Sequence, residues 1–370
     1  MNENVTLFLC GDVMTGRGVD QALPHPGDPR LHEPSVENAS EYVKLAERAN
    51  GALPCPLDFR YIWGDALEVF QREKPRAKII NLETAITRSD THWQSKEVHY
   101  KMNPNNIPAL TVAGVDCCAL ANNHMLDWGI PGLVETLDTL DKAEIKHAGA
   151  GRNLQEAQRP ALLETGEGSR VIVFGLGSVS SGIPLQWSAR ENRPGLHTIE
   201  SQPDDPVRFL AQAIGAIKQT GDIVVVSIHW GSNWGYKIPS SDKRLAHRFV
   251  EEAGVDIVHG HSSHHVKAIE VYKERLILYG CGDFFNDYEG ISGYEDFRGD
   301  LGLIYLADMS PATGKLRALR MIPIQVRRFR LNRASTLDSQ WLADLLSREG
   351  QRFSTGVQRS TEGILTLSWD

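Results

Sequence analysis

Residues Val255–His265 read VDIVHGHSSHH, a short apolar run that stops abruptly in a cluster of histidines. Five other segments repeat the design. VTLFLCGD ends at Asp12, AKIINLE at Glu83, VDCCALANNH at Asn123 and His124, DIVVVSIHWG at His229, and RLILYGCGD at Asp283. Short apolar runs bounded by turn residues read as strands buried on both faces. In open α/β sheets, ligands bind where the loops leave the carboxyl ends of the strands. Six endings in residues able to hold a metal ion therefore describe one site on an α/β fold.

Bulk properties narrow the class. The candidate ligands run from Asp12 to Asp283 of 370 residues, so most of the chain builds one site, and one large domain over 1–370 is expected. Hydrophobic residues make up 41% and charged residues 23%, which excludes a mainly disordered or fibrous chain. A net charge of -8 argues against a nucleic-acid-binding surface. The five cysteines have no CxxC spacing and mostly lie in the apolar runs, as reduced core thiols do. No segment approaches the ~20 apolar residues of a membrane span, and the start lacks the pattern of a signal peptide. A cytoplasmic protein is expected.

Between the strand runs lie helical stripes, which makes the pattern alternate β and α. Ile130, Leu133, Val134, Leu137 and Leu140 form one stripe, and Val207, Leu210, Ile214 and Ile217 another, with Pro206 at a first helical position. A third begins near Ser241, a candidate N-cap. Gln21 to Pro56 and Ser180 to Asp205 break the pattern; long irregular connections are often binding loops, and equally often solvated insertions. Residues 310–370 supply the strand LRALRMIPIQV, a helix near Leu337 to Arg348 and a last strand, ILTLSW, which complete the domain.

Carboxylate, carboxamide and imidazole donors together suit Mn, Fe, Zn or Co, whereas an all-oxygen set favours Mg or Ca. The donors suffice for two divalent ions sharing a hydroxide nucleophile, with Glu83 as the natural bridge. Asn123 offers a carboxamide oxygen and leaves His124 free for proton transfer, with Asp127 close enough in sequence to orient it. Taken alone, NNHMLDWG reads as an Asn-rich turn whose Asp caps a helix. His229 is equally a partly buried structural histidine, and Asp283 is either a partner for a metal-bound histidine or an ordinary turn residue. Arg17 is a candidate anion clamp, joined by Arg190 and Arg193 if their loop closes; Tyr100 and Lys101 are further substrate-binding candidates.

The ordered set GDVM, NLE, NNH with a following DWG, HWG, GHSSH and LYGCGDF resembles the CapA-like family, named for poly-γ-glutamate capsule biosynthesis and related to calcineurin-like metallophosphoesterases. The resemblance covers roughly Val5 to Leu306. It implies a four-layer αββα sandwich, a di-metal centre held by Asp12, Glu83, Asn123, His229, His261 and His264, and an acid role for His124. Three departures stand out. Met14 occupies the place where the wider superfamily has a histidine. His261 and His264 are separated by two residues rather than one, which leaves His265 open as the ligand. The chain as given is also expected to have no membrane anchor like that of the capsule proteins. The implied activity is metal-dependent hydrolysis of an anionic small molecule or a γ-glutamyl or peptide-like amide. A phosphoesterase and a non-catalytic accessory protein of poly-γ-glutamate synthesis are the alternatives.

Overall fold

The computed structural model describes residues 4–166, 168–201 and 205–370. In chain order its strands of three or more residues are β1 (Val5–Val13), β2 (Ala77–Leu82), β3 (Cys117–Ala119), β4 (Lys146–Ala148), β5 (Ala161–Gly166) and β6 (Ser169–Gly177). They continue with β7 (Ile223–His229), β8 (Ile257–His261), β9 (Ile269–Tyr272), β10 (Arg275–Leu278) and β11 (Asp283–Phe285). The last are β12 (Leu301–Ser310), β13 (Lys315–Val326), β14 (Leu331–Arg333), β15 (Thr355–Arg359) and β16 (Leu365–Trp369). The longer helices are α1 (Arg17–Ala22), α2 (Ser40–Asn50), α3 (Ala66–Glu73), α4 (Gly129–Lys142), α5 (Pro206–Ile217), α6 (Ser240–Glu251) and α7 (Thr336–Gly350).

This is a mixed α/β fold with two principal sheets. The ten-stranded sheet runs β15, β16, β13, β12, β1, β2, β3, β4, with β11 beside β1 and β14 beside β13. The six-stranded sheet runs β9, β10, β8, β7, β6, β5. The pairs β1 with β2, β2 with β3, β6 with β7, and β7 with β8 are parallel, so their carboxyl ends lie together.

The apolar runs are buried on both faces, as their sequence requires. Leu7, Leu9, Ile79 and Cys117 of the large sheet pack with Val171, Val173, Val225 and Ile257 of the small one. Their neighbours Phe8, Cys10, Ile80 and Cys118 pack instead with Leu133, Leu137 and Leu140 of α4. On the small sheet, Ile172, Val224, Val226 and Val258 pack with Val207, Leu210 and Ile214 of α5 and Phe249 of α6. At about 1.5–3 kcal/mol per fully buried aliphatic side chain, these stripes hold the helices to the sheets without help from intrinsic helix propensity.

Pro206 opens α5 as expected, and the Asp205 carboxylate caps it by accepting from the Val207 N–H at 3.1 Å. Ser241 does not cap α6. That helix starts one residue earlier, behind Pro239, and the Ser241 hydroxyl bonds the Asp242 side chain. Positions 202–204 of the irregular 180–205 stretch lie outside the described residues. Strands β13 to β16 extend the large sheet, and α7 packs its Leu342, Leu345 and Leu346 into the apolar layer between the sheets. Among the described residues no helix is long and apolar enough to cross a membrane.

Candidate metal centre

Strand register assembles the polar endings. Asp12 of β1 stands beside Asn81 of β2 on one side and Asp283 of β11 on the other. His229 of β7 stands beside His261 of β8. Gly11 makes the first junction possible: a Cβ there would lie 1.6 Å from the Gly282 carbonyl oxygen, which instead accepts from the Asp12 N–H at 3.0 Å. Glu83 follows β2 directly. Asp12, Glu83, His229, His261 and Asp283 are all buried.

Two groups of donors result, Asp12 with His229 and His261, and Asp12 with His264 and Asp283; within each, the ligand atoms lie within 4.8 Å of one another. Asp12, rather than Glu83, is the member common to both. Glu83 faces the first group, with Oε1 3.8 Å from His229 Nε2 and 3.9 Å from His124 Nε2. The Asn123 Oδ1 is 3.0 Å from His229 Nε2. Asp283, left open in the sequence, lies 2.9 Å from His264 Nδ1. His265 turns away; its Nε2 accepts from the Gly235 N–H at 3.0 Å and its ring stacks on Phe297. Met14 is buried, its N–H bonded to the Phe285 carbonyl. Asn81 and Asn122 brace the floor, Asn81 donating to Asp12 Oδ1 at 2.7 Å and Asn122 to Asn81 Oδ1 at 3.1 Å.

The electrostatics fit divalent cations. Burial, then the neighbouring Asp283, pushes the Asp12 carboxyl up to about 7. Burial, then Asp12, pushes Glu83 up as well. Burial holds His229 and His261 neutral, with their Nδ1 atoms 2.8 Å apart. Burial also opposes protonation of His264, but Asp283 outweighs it and raises that imidazole. Crowded carboxylates beside neutral imidazoles are a charge deficit that a divalent ion fills, and mixed nitrogen and oxygen donors suit Mn, Fe, Zn or Co. Deeper in the small sheet, His259 is held neutral, at about 4, by burial.

These shifts set a pH dependence. The metal-free folded chain keeps carboxyl protons at Asp12 and Glu83 that the unfolded chain has already released, so rising pH costs it stability. Below about pH 6.5 the neutral histidines act oppositely, because unfolded imidazoles take up protons there. Metal-free protein should therefore melt lower at pH 8.5 than at pH 6.5, by on the order of 1–3 kcal/mol, and added metal should erase the difference. Thermal denaturation after chelation measures it; a higher melting temperature at pH 8.5 would show that the carboxyls are not desolvated.

His124 sits outside both donor groups. Its Nδ1 is 2.6 Å from Asp127 Oδ2, and its ring stacks on Tyr100 at 3.8 Å. Lys96, which sequence reasoning passed over, lies 2.5 Å from Asp127 Oδ1, 2.9 Å from His124 Nδ1, and bonds the Asn123 carbonyl. One Nδ1 cannot serve both neighbours. The shorter contact gives its hydrogen to Asp127, and the ammonium is satisfied by Asp127 and the carbonyl. A lone lysine in a loop carries no sequence signal of such a role.

The site opens into a cavity of about 1010 Å³ whose walls include Lys96, Tyr100, Asn123, His124, Trp234 and Tyr288. Arg17 is at the wall but is not a free anion clamp. Its guanidinium bonds Asp287 at 2.5 and 3.2 Å, Glu33 at 3.1 Å and the Tyr42 hydroxyl at 2.9 Å. The loop between α1 and α2 thus supplies a structural partner in Glu33. Arg17→Met should leave two buried carboxylates without their cation and lower stability by about 3–5 kcal/mol; an unchanged urea midpoint would refute that. Lys101 lies over Trp128 and near Asp90, at 3.7 Å from each. Arg193 donates to the Gln186 and Ser188 carbonyls, and Arg190 pairs with Arg193 through the backbone. None of these three lines the cavity. Of the expected substrate contacts, Arg17 and Tyr100 line it; Tyr100 is itself buried, its ring between His124 and the Arg17 guanidinium and its hydroxyl 2.6 Å from that of Tyr288.

Fold and site together define an α/β protein with a buried carboxylate and histidine centre at its strand ends. Residues 6–288 match the model of the family described as bacterial capsule synthesis protein PGA_cap, and the chain belongs to that family. It is 48% identical over 364 residues to a probable polyglutamine synthesis accessory protein of Mycobacterium tuberculosis, covering 98% of this chain and 96% of that one. It is 31% identical over 280 residues to the PGA biosynthesis protein CapA of Bacillus subtilis, covering 75% of this chain and 62% of that one. The CapA-like resemblance is thereby met. A solved phosphatase from Mycoplasma pneumoniae shows a TM-score of 0.48 at 13% identity, over 88% of this chain and 95% of that one, a likeness too distant to bear on function.

Proposed function

We propose that the chain is a metal-dependent hydrolase of γ-glutamyl or related peptide-like amides, built as one unit over 1–370 with its last strands and helix completing a four-layer αββα sandwich of metallophosphoesterase type. The observation that carries this reading is the His124 and Asp127 pair. It stands at the mouth of the donor cluster, bonded at 2.6 Å, without being needed to hold an ion. A site that only bound metal or polymer would gain nothing from an oriented imidazole there.

Asp12, Glu83, Asn123, His229, His261 and His264 would hold two divalent ions, with Asp283 orienting His264. When bound, such ions supply Lewis acidity and lower the pKa of water. Burial, then Lys96, keeps His124 neutral. Asp127 takes the Nδ1 hydrogen, so Nε2 is presented bare. His124 therefore accepts a proton from the attacking water before it delivers one to the leaving nitrogen, combining base and acid roles. Asp127 stabilises the imidazolium formed between those steps. Burial raises the Asp127 carboxyl to about 6, Lys96 opposes that rise, and Tyr100 fixes the plane of the ring.

The relative's description as an accessory protein favours a second reading, in which the cavity binds an acidic polymer without cleaving it, and Met14 in place of a ligand leaves one ion weakly held. A cytoplasmic, nucleic-acid-free setting belongs to either reading. Assaying purified protein, loaded in turn with Mn, Fe, Zn and Co, against γ-glutamyl amides and phosphate esters decides between them. Hydrolysis of the amide that is lost on chelation supports the first reading. Polymer binding without cleavage by any loaded form supports the second, and hydrolysis of phosphate esters alone would move the substrate class.

A further inference from the structure

Behind the donor cluster runs a line of buried hydrogen bonds that no part of the proposed chemistry uses. His259 Nε2 lies 2.6 Å from the Cys10 carbonyl oxygen. Ser227 Oγ lies 3.0 Å from His259 Nδ1 and 2.9 Å from His261 Nε2. Register produces the line, since β7 and β8 pair Ser227 with His259 and His229 with His261, placing the four side chains on one face of the small sheet. Cys10 belongs to β1 of the other sheet, two residues before Asp12. Ser227, His259 and His261 are buried.

The chain of bonds has a single direction. A carbonyl oxygen only accepts, so the hydrogen between Cys10 and His259 is on Nε2. A neutral imidazole then has a bare Nδ1, which takes the only hydrogen that Ser227 owns. With its hydrogen spent, Ser227 Oγ accepts from His261 Nε2. That leaves His261 Nδ1 bare, 2.8 Å from His229 Nδ1 and 4.0 Å from Asp12 Oδ1. Simple mutual satisfaction of buried polar groups explains why the bonds exist. It does not explain why their direction, set at one carbonyl, ends with a lone pair aimed at the donor cluster.

We propose that Ser227 and His259 are positioning residues that lock His261 as its Nε2–H tautomer and so present Nδ1 as its ligating atom. The tautomer assignment stands on the hydrogen-bond geometry with a neutral, buried His259; the ligating role rests on the metal-centre reading given above. Ser227→Ala removes the acceptor for the His261 Nε2 hydrogen, so His261 divides between its tautomers. Loss of such an outer partner typically weakens metal binding 10- to 100-fold.

The test has two arms. Long-range 15N correlation spectra of metal-free protein labelled at histidine nitrogens report the tautomer directly, with His261 assigned by comparison with His261→Gln. An Nε2–H pattern is expected in the wild type and a mixed pattern in Ser227→Ala. Calorimetric titration of metal-free protein with Zn or Mn should show the roughly 10- to 100-fold loss in Ser227→Ala and recovery of most of it in Ser227→Thr, which restores the hydroxyl on a strand that accommodates a β-branched side chain. An Nδ1–H tautomer at His261 in the wild type overturns the proposal, whether or not the alanine variant folds. So does unaltered metal affinity in a folded Ser227→Ala. Because the spectra need no metal, failure of the metal-centre reading would show separately, as wild-type protein that titrates with neither ion.

Discussion

His124→Ala keeps its metal, melts within a few degrees of wild type, and loses roughly 10²- to 10⁴-fold in hydrolytic rate, the range for a lost general acid or base. The expectation follows from where the imidazole sits. Its Nδ1 is committed to Asp127 and it is not among the proposed ligands, so no ion is expected to leave with it. Its partner Asp127 retains Lys96 at 2.5 Å and the Tyr100 N–H at 2.7 Å, so no buried carboxylate is stranded. The loss should be steepest for substrates with poor leaving groups, because delivery of a proton matters most there, and an activated leaving group should recover part of it. Metal analysis, melting and rates on two leaving groups read all three consequences. Loss of metal with activity would make His124 a ligand. Full activity would remove it from the chemistry and leave polymer binding without cleavage as the better account.

The second large effect is on the metal itself. His261→Ala should abolish binding at the donor group it shares with Asp12 and His229 and remove the stabilisation that metal confers on the folded chain. At a thousandfold excess of free ion over its dissociation constant, one site contributes about 4 kcal/mol, and that is the gap between loaded and chelated melting curves that should close. His265→Ala is the informative contrast. Its ring stacks on Phe297 and accepts from Gly235, so the change should lower the melting curve of loaded and chelated protein alike while leaving metal content intact. If His265→Ala were the variant that lost metal, the ligand assignment in the GHSSHH turn would be wrong by one residue.

The strand ends were legible in the sequence because two-sided burial writes a continuous apolar run, and a polar residue at the end of such a run has few places to go. Parallel pairing then brings His229 and His261 side by side, and the packing of the two sheets brings Asp12 to them. The sharing of Asp12 between two donor groups was not legible. It depends on β11 returning to pair with β1 after more than two hundred intervening residues, which puts Asp283 beside Asp12, and no local pattern encodes a long-range register. The arginines failed for a related reason. A sequence shows that Arg17 carries charge near the site, but not that Glu33 and Asp287 have already claimed it. Arg190 and Arg193 were placed at the cavity by the idea of a closing loop, whereas that loop folds on its own backbone carbonyls. Lys96 stood unmarked because its role comes from three contacts with residues about thirty positions later in the chain.

The hydrolase reading depends on ions occupying the cluster around Asp12. Elemental analysis of purified protein after mild dialysis, repeated after chelation and reconstitution with Mn, Fe, Zn and Co, measures that occupancy without reference to any substrate. Near two ions per chain are expected, because Asp12 belongs to two donor groups at once. Protein that retains none of these metals, and takes up none on reconstitution, would contradict the account.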